Sequence, residues 1–360
     1  MSALTSVPTG KIIKNYLEEY DISQKELSAR TGVSEKHLSH LLNGSSRLTE
    51  ELALKLEQVL PGVPASYWLN YETKYREALA REKASMQTFS SEELKDLSKR
   101  FRFKEVFKGL NWDLQRQANE MLSLLKISNF NNFEKTYFNL AVSFMEDGGE
   151  LESIAIWLNL CRERAELQEE EIVESFDPKT VKRLLPELKA IAENEDATFS
   201  LANAKKWLNN KGVYLVIQDA ITNCKVRGAL TYYRKKPAIF LSLRFKTHDH
   251  AWFALAHEIG HLLLHPNGKE TSLTFEDDVD KPSSLREEEA NSFARDFFID
   301  DAAYKVFVAS GIPTKKSILH FSLSQHVHTG IVVARLQHDG VIAYSEFNML
   351  KSRFKELQGL

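Results

Sequence analysis

The sequence predicts an α+β protein with an all-α domain at residues 1–75, a helical linker at residues 76–195 and a mixed domain at residues 196–360. The first region contains short helical segments between small turns. The second is rich in Glu, Lys and Leu and poor in Gly and Pro, which is typical of continuous helix. Only the third contains strand-like runs, at residues 212–217, 226–233 and 237–243, with helices after them.

Composition excludes several classes of protein. The 360 residues are 43% hydrophobic and 27% charged with a net charge of −3, so the chain is globular and its bulk charge does not attract nucleic acid or anionic membranes. Two separated cysteines exclude a disulfide scaffold and a thiolate zinc site. Residues 1–10 lack the apolar core of a signal peptide, and no apolar run reaches the length of a membrane span. We therefore expect a cytoplasmic protein with no membrane contact.

The first region has the pattern of a helix-turn-helix. Ser23–Glu26 form a capping box, which predicts a helix that ends at Thr31. Gly32 allows a tight turn, and Ser34 can cap a second helix over Glu35–Leu42. Two short helices joined by a few residues that include glycine are typical of DNA-binding modules.

The run Ser23–Ser34, followed by Leu38-Ser39 and Leu42-Asn43-Gly44, resembles the XRE (Cro/repressor-type) helix-turn-helix, and within it the antitoxin branch similar to HigA. The likeness covers about 60 residues. It implies that Gln24 and the front of the second helix face double-stranded operator DNA. The polar side chains there can reach base edges or phosphates. The predicted DNA-binding residues are Gln24, Ser34, Lys36, His37, Ser39 and His40.

The net charge of the first region limits the affinity that a single helix-turn-helix can have for DNA. Residues 1–70 hold seven Lys/Arg and eight Asp/Glu, a net charge of −1, and phosphate neutralisation supplies much of the affinity for DNA. Two arrangements would compensate, a homodimer or a second basic contact further along the chain. The candidates for that contact are Lys95, Lys99, Arg100, Arg102, Lys104 and Lys108. The alternative is a helical module that docks protein and not DNA.

The strongest chemical signal is His257-Glu258-Ile259-Gly260-His261. Residues four apart lie on one face of a helix, so both imidazoles can bind one metal ion while Glu258 activates water. Apolar residues around the motif follow a helical stripe, which places the histidines on its flank. The alternative is a pair of packed histidines, but Gly260 costs about 1 kcal/mol inside a helix and suggests a close approach of another group.

A catalytic zinc site needs a third protein ligand, and the helix after Ser284 is its predicted source. Ser284–Glu287 form a second capping box, and the apolar face of this helix leaves Glu287 and Glu289 on its two flanks. Because the capping box occupies the Glu287 side chain, Glu289 is the predicted ligand.

The run Phe253–His265, with Glu289–Ala294 downstream, resembles the ImmA/IrrE metallopeptidase family. The similarity extends from about Phe199 to the C-terminus and includes Gly228-Ala229 and the run Gly330–Gln337, but Phe298-Ile299-Asp300 departs from the usual Leu-Met-Pro. The resemblance implies a zincin-like fold with a small sheet and an HExxH helix. It also implies that His257, His261 and Glu289 bind Zn²⁺ and that Glu258 is the general base.

The chemistry so implied is hydrolysis of a peptide bond, which also needs a donor to the oxyanion. Tyr232, Tyr233, His250 and His265 are available, and the sequence does not choose among them. The run 237–243 could serve as an edge strand on which an extended substrate pairs.

Two functions are consistent with these features. The first is a DNA-binding regulator with a zinc-dependent endopeptidase domain that cleaves a partner repressor or toxin-antitoxin protein. The second is a non-proteolytic transcriptional regulator or antitoxin whose zinc domain is a sensor or a scaffold. The presence of Glu258 favours the first, because a scaffold has no use for an acid at that position.

Overall fold

The computed structural model describes residues 7–60, 62–85, 89–138, 149–172, 174–265, 272–275 and 284–354. Contacts divide the chain into two compact units, residues 1–90 and residues 91–360. The second unit therefore includes most of the predicted linker, whose boundaries at residues 75/76 and 195/196 remain a prediction. Within the described part of the chain, no helix is long and apolar enough to cross a membrane.

The first unit is a bundle of short helices. Its helices are α1 (Thr9–Glu19), α2 (Gln24–Thr31), α3 (Glu35–Leu42), α4 (Glu50–Val59) and α5 (Ala65–Ser85). Their apolar faces meet in one core that includes the buried side chains of Leu27, Leu38, Leu56 and Trp68. These contacts hold α2 and α3 at a fixed angle, which is what a helix-turn-helix requires.

The caps predicted for α2 and α3 are confirmed. The Ser23 hydroxyl accepts a hydrogen bond from the backbone N–H of Glu26 at 3.2 Å, and the Ser34 hydroxyl accepts one from that of His37 at 3.3 Å. Gly32 ends α2 in the left-handed conformation (φ 69°), which glycine adopts without strain. The Glu26 carboxylate pairs with Arg30, so only the serine half of the capping box forms at α2.

The second unit begins with helices and continues into a sheet. The helices before the sheet are α6 (Ser91–Arg100), α7 (Phe103–Val106), α8 (Leu114–Leu124), α9 (Phe133–Thr136), α10 (Leu151–Leu167), α11 (Pro178–Arg183), α12 (Leu185–Ala192) and α13 (Ala197–Asn209). Short 3₁₀ turns occur at Phe130–Asn132 and Glu169–Glu171.

In the part of the chain that the structure describes, four strands form the sheet, namely β1 (Tyr214–Ile217), β2 (Val226–Tyr233), β3 (Lys236–Leu241) and β4 (Ser272–Phe275), in the order β1-β3-β2-β4. The β1–β3 pair is parallel, whereas β2 is antiparallel to both β3 and β4. The first three strands confirm the predicted runs, and β4 was not predicted. The expectation that the run 237–243 is an edge strand was wrong, because β3 has a neighbour on each side.

Five helices follow β3 among the described residues, with β4 between the first two. They are α14 (His248–Leu264), α15 (Leu285–Phe298), α16 (Asp301–Ala309), α17 (Lys315–Gln325) and α18 (Thr329–His338), with a 3₁₀ turn at Asn348–Leu350. Together with the four-stranded sheet, they confirm the predicted α+β class.

Helix α10 covers one face of the sheet although it lies in the predicted linker. Trp157 is fully buried, stacks edge-on against Phe240 of β3 with 6.4 Å between centroids, and donates to the Gln218 carbonyl. Leu215 of β1 and Ile239 of β3 belong to the hydrophobic core that also contains Leu255 of α14. The sheet is therefore buried between helices, and α14 is fixed against it.

Candidate functional site

Helix α14 carries the His-Glu-x-x-His motif into the interior of the second unit. Its first ligand candidates, His257 and His261, are 1% and 4% exposed, and their Nε2 atoms lie 2.9 Å apart. The i, i+4 spacing places both rings on one face of the helix, as predicted.

A carboxylate from the first turn of α15 completes the cluster, and it belongs to Glu287. Its Oε2 lies 3.0 Å from His257 Nε2, and its Oε1 lies 3.2 Å from His261 Nε2. Among the described residues, His257, His261 and Glu287 are the group of three that could hold a metal ion.

The structure does not bring Glu289 to this cluster. Its side chain is 50% exposed, and its Oε2 lies 3.4 Å from His265 Nε2. The prediction failed because it assigned the Glu287 carboxylate to the helix cap. Ser284 caps α15 by accepting from the Glu287 backbone N–H at 3.4 Å, so the cap uses the main chain and leaves the carboxylate for the histidines.

Asn291 orients the first histidine. Its Oδ1 lies 2.9 Å from His257 Nδ1, and because an amide oxygen only accepts, Nδ1 is the donor and Nε2 is the ring nitrogen that would bind a metal ion. Asn291 is four residues after Glu287, so one face of α15 holds both the carboxylate and the orienting amide. That spacing was the available sequence signal for Glu287 and for Asn291, and it was missed.

The cluster fits a metal ion. Burial acts to raise the pKa of Glu287, but His257 and His261 lower it to about 2, so the group is a carboxylate. A carboxylate and two imidazole nitrogens then converge in a buried space, which costs free energy unless a cation lies between them. Bonds of about 2.0–2.1 Å in a tetrahedral arrangement place ligand atoms about 3.3 Å apart, close to the spacings found here.

Glu258 lies beside the cluster and is fully buried. Thr274 of β4 donates to its Oε1 at 2.7 Å, while its Oε2 has no hydrogen-bond partner among the described residues. Burial raises the pKa of Glu258, against the opposing effects of His257, His261 and the Thr274 hydrogen bond. One carboxylate oxygen is thus held by the sheet and the other is available to accept a proton.

Two glycines make room for this arrangement. A Cβ on Gly228 of β2 would lie 2.4 Å from Glu258 Oε1, so only glycine leaves space for the acid there. A Cβ on Gly260 would lie 3.2 Å from Ala290 Cα and 3.1 Å from the Phe293 ring. The close approach that Gly260 suggested is therefore that of α15, the helix that brings Glu287.

The four oxyanion candidates lie in different surroundings. His265 is next to the metal cluster, with its ring centroid 5.7 Å from that of His261. Tyr233 packs edge-on against Tyr214 at 5.4 Å, and His250 stacks on Phe245 at 4.4 Å. Tyr232 is 38% exposed. Of the four, His265 contacts a residue of the cluster, His261, and its Nε2 also lies 3.4 Å from Glu289.

In the first unit, the start of α3 is open to solvent. Ser34, Lys36, His37 and His40 are exposed, and Ser39 is half-buried. Gln24 Nε2 donates to the Glu35 carbonyl at 2.9 Å, which fixes the start of α2 against the start of α3. The six predicted DNA-binding residues thus lie on or beside one helix, and their contacts with DNA remain a prediction.

The proposed second basic contact is partly engaged in ion pairs. Arg100 pairs with Glu134 at 2.6 Å and with Glu152 at 2.7 Å, and Arg102 pairs with Glu150. These pairs compete with phosphate for the two guanidinium groups.

Two segments of the chain match protein-family models. A helix-turn-helix model matches residues 13–68, and a peptidase model described as an IrrE N-terminal-like domain matches residues 220–332. The second match contains His257, His261 and Glu287. No curated protein matches the chain. The two matches therefore support a fusion of an N-terminal XRE-type helix-turn-helix with a C-terminal domain similar to metallopeptidases of the ImmA/IrrE kind.

Proposed function

We propose that this protein is a DNA-binding regulator whose C-terminal domain is a zinc-dependent endopeptidase acting on a partner protein. One observation carries the proposal. The buried Nε2 atoms of His257 and His261 lie 2.9 Å apart, each lies within 3.2 Å of one oxygen of the Glu287 carboxylate, and the acid Glu258 lies beside them. A metal, an acid and a peptidase-type domain together support hydrolysis better than a purely structural role.

The chemistry divides between the ion and the chain. A bound zinc ion would supply Lewis acidity and lower the pKa of water. His257, His261 and Glu287 would hold it, and Asn291 would keep His257 in the required tautomer. Glu258 would accept a proton at Oε2 and later return it to the leaving amine, while Thr274 keeps the carboxylate in place through Oε1.

The sheet offers a place for an extended substrate. Strand β4 is at the edge of the described sheet, and it is the strand whose Thr274 contacts Glu258. A substrate segment that paired with β4 would therefore run beside the acid. This edge replaces the run 237–243 as the proposed pairing strand.

The helix-turn-helix suggests the class of substrate. A protease held on operator DNA meets a neighbouring repressor or toxin-antitoxin protein at a high effective concentration, so weak binding at the cleft suffices. The proposed DNA contacts are Gln24, Ser34, Lys36, His37, Ser39 and His40, as a homodimer on two half-sites. Assignment to an antitoxin branch similar to HigA is part of this proposal.

A non-proteolytic regulator is the second candidate, and burial favours it. The two histidines are at most 4% exposed and Glu258 is fully buried, so a peptide bond reaches them only if the surroundings open. In this alternative, the metal domain is a sensor or a scaffold, and Glu258 has no chemical role.

The deciding experiment compares wild type with Glu258→Gln. Each protein is incubated with the regulators encoded beside its gene, and products are identified by mass spectrometry. We expect wild type to give a discrete fragment and Glu258→Gln to give none while retaining its metal, because the change removes proton transfer alone. Rates should fall at least ~100-fold.

The matched control is Glu288→Gln, which makes the same chemical change at an exposed glutamate of the same helix outside the cluster. It should cleave like wild type. If all three proteins relieve repression equally and none yields a fragment, the non-proteolytic reading replaces the peptidase proposal.

A further inference from the structure

A histidine and a glutamate lie next to the metal cluster without belonging to it. His265 directly follows α14, and its backbone N–H donates to the His261 carbonyl at 3.0 Å, so the helical turn continues to it. Its ring centroid lies 5.7 Å from that of His261. Glu289 of α15 is outside the group of three residues that could hold a metal ion. The proposed proton transfers use neither side chain.

The His265 ring has a buried nitrogen that makes no hydrogen bond. Its Nε2 is covered although the side chain as a whole is 16% exposed, and it has no hydrogen-bond partner among the described residues. Glu289 Oε2 lies 3.4 Å away, but the two groups are not in hydrogen-bond geometry. A buried polar atom without a partner costs free energy, so this nitrogen is open to another kind of bond.

The spacing of the pair suits one shared cation. Two atoms that bind a zinc ion at 2.0–2.1 Å in a tetrahedral arrangement lie about 3.3 Å apart. His265 Nε2 and Glu289 Oε2 are 3.4 Å apart. An imidazole nitrogen and a carboxylate oxygen are both common zinc ligands. The Glu289 side chain is 50% exposed, so water can reach an ion there and complete its coordination.

Two helices in close contact hold the pair. A Cβ on Gly260 of α14 would lie 3.2 Å from the Cα of Ala290, which is the residue after Glu289. His265 caps the C-terminal end of α14, where the helix dipole leaves a partial negative charge that favours a cation. The two ligands are therefore positioned by the same helix packing that forms the metal cluster.

We propose that His265 and Glu289 form a second zinc site, weaker than the metal cluster beside it. It is weaker because it has two protein ligands, one of them half-exposed, whereas the cluster has three buried ones. The imidazole selects zinc over magnesium and calcium, which prefer oxygen ligands. The proposal does not require peptidase activity, since zinc binding is measured without a substrate.

The test is equilibrium dialysis of the metal-free full chain against rising concentrations of free zinc, with bound metal counted by elemental analysis. We expect one tight ion and one weaker ion per chain. Magnesium and calcium at equal concentration should not displace the weaker ion. A chain that binds only the tight ion, or a weaker ion that magnesium displaces, overturns the proposal.

Variants localise the weaker ion. His265→Asn and Glu289→Gln should each weaken its binding at least ~10-fold, while a chelator competition still finds the tight ion at wild-type affinity. One control is His326→Asn, because His326 is 80% exposed and its Nδ1 lies 3.9 Å from Glu193, a wider His–Glu pair. The other control is Glu288→Gln, which removes an exposed carboxylate from α15.

Both controls should bind the two ions as wild type does. Retention of the weaker ion in His265→Asn and Glu289→Gln, or an equal loss in the controls, would show that other groups bind it and would overturn the proposal. Because Glu289 is half-exposed, its variant decides the question even if His265→Asn does not fold. Failure of the metal cluster to bind zinc would instead remove the tight ion from every protein and leave the weaker one.

Discussion

At the scale of single residues, position on α15 decides whether Glu287 or Glu289 joins His257 and His261. The two side chains are two positions apart on α15, yet one is 9% exposed against both histidines and the other is 50% exposed beside His265. Rotation of α15 about its axis, set by its close contact with Gly260, determines which carboxylate faces inward.

A matched pair of variants tests this assignment. We expect Glu287→Gln to weaken zinc binding by more than about 100-fold, because it removes a charged ligand from a buried cluster, whereas Glu289→Gln should bind zinc as wild type does. Competition with a chelator, followed by elemental analysis, measures both. Tight zinc binding by Glu287→Gln together with loss in Glu289→Gln would restore the original assignment.

At the residue level, the sequence brings together the groups whose signal is local, and their roles in metal binding stay a prediction. His257 and His261 were found because four-residue spacing on one helix brings them together without reference to the rest of the fold. To predict the role of Glu287, one would need to know which half of the capping box forms. To predict the contact of Thr274, one would need the pairing of β4, which depends on residues distant in sequence. The position of Asn291 could have been predicted from the sequence, because it follows Glu287 by four residues and so shares its face of the helix.

At the scale of elements, local signals predicted α2, α3 and the first three strands. The order β1-β3-β2-β4 was not predictable, since pairing depends on contacts between segments that are distant in sequence. Strand β4 is as short as β1, but its sequence Ser-Leu-Thr-Phe lacks the continuous apolar run that predicted β1. The error about an edge strand at 237–243 followed from the pairing order alone, since both neighbours of β3, namely β1 and β2, were predicted strands.

Helix α3 is the element whose function is most directly testable. Lys36 and His40 are exposed and one turn apart, so they can approach the same stretch of DNA. We expect Lys36→Ala with His40→Ala to weaken binding to the chain's own promoter by at least ~10-fold, and to lower the salt slope by about 1. Electrophoretic mobility shifts at several salt concentrations measure both quantities.

Lys14→Ala is the control for that experiment, since Lys14 is an exposed lysine on α1. It should bind DNA as wild type does. If the double variant binds as well as this control at every salt concentration, α3 is a surface for docking protein, as the alternative reading of this region supposed.

At the scale of the whole molecule, buried histidines link stability to pH. His248 at the start of α14 is fully buried, and its ring stacks on that of His328 with 4.2 Å between centroids. Burial lowers the pKa of His248 to about 3, and His328 contributes to the decrease. The folded second unit therefore holds a neutral imidazole at pH values where the unfolded chain binds a proton.

Stability should fall as the pH falls below about 6.5, the ordinary pKa of histidine in the unfolded chain. From pH 7 to pH 5, His248 alone should reduce the free energy of unfolding by about 2 kcal/mol, and the loss continues to about pH 3. Urea unfolding at each pH measures it. His248→Phe should remove this part of the pH dependence, and an unchanged dependence in that variant would refute the assignment.

The glycine beneath Glu258 has a consequence for how this sequence can vary. Gly228 pairs with Thr274 across the sheet, and the Glu258 carboxylate lies against both residues. A Cβ at position 228 would lie 2.4 Å from Glu258 Oε1. Positions 228 and 258 are therefore linked by volume, although 30 residues separate them. A methyl group at 228 becomes tolerable only if the acid shortens to aspartate. In a library of random variants, position 228 should tolerate substitution as poorly as His257 and His261 do, although glycine has no reactive side chain.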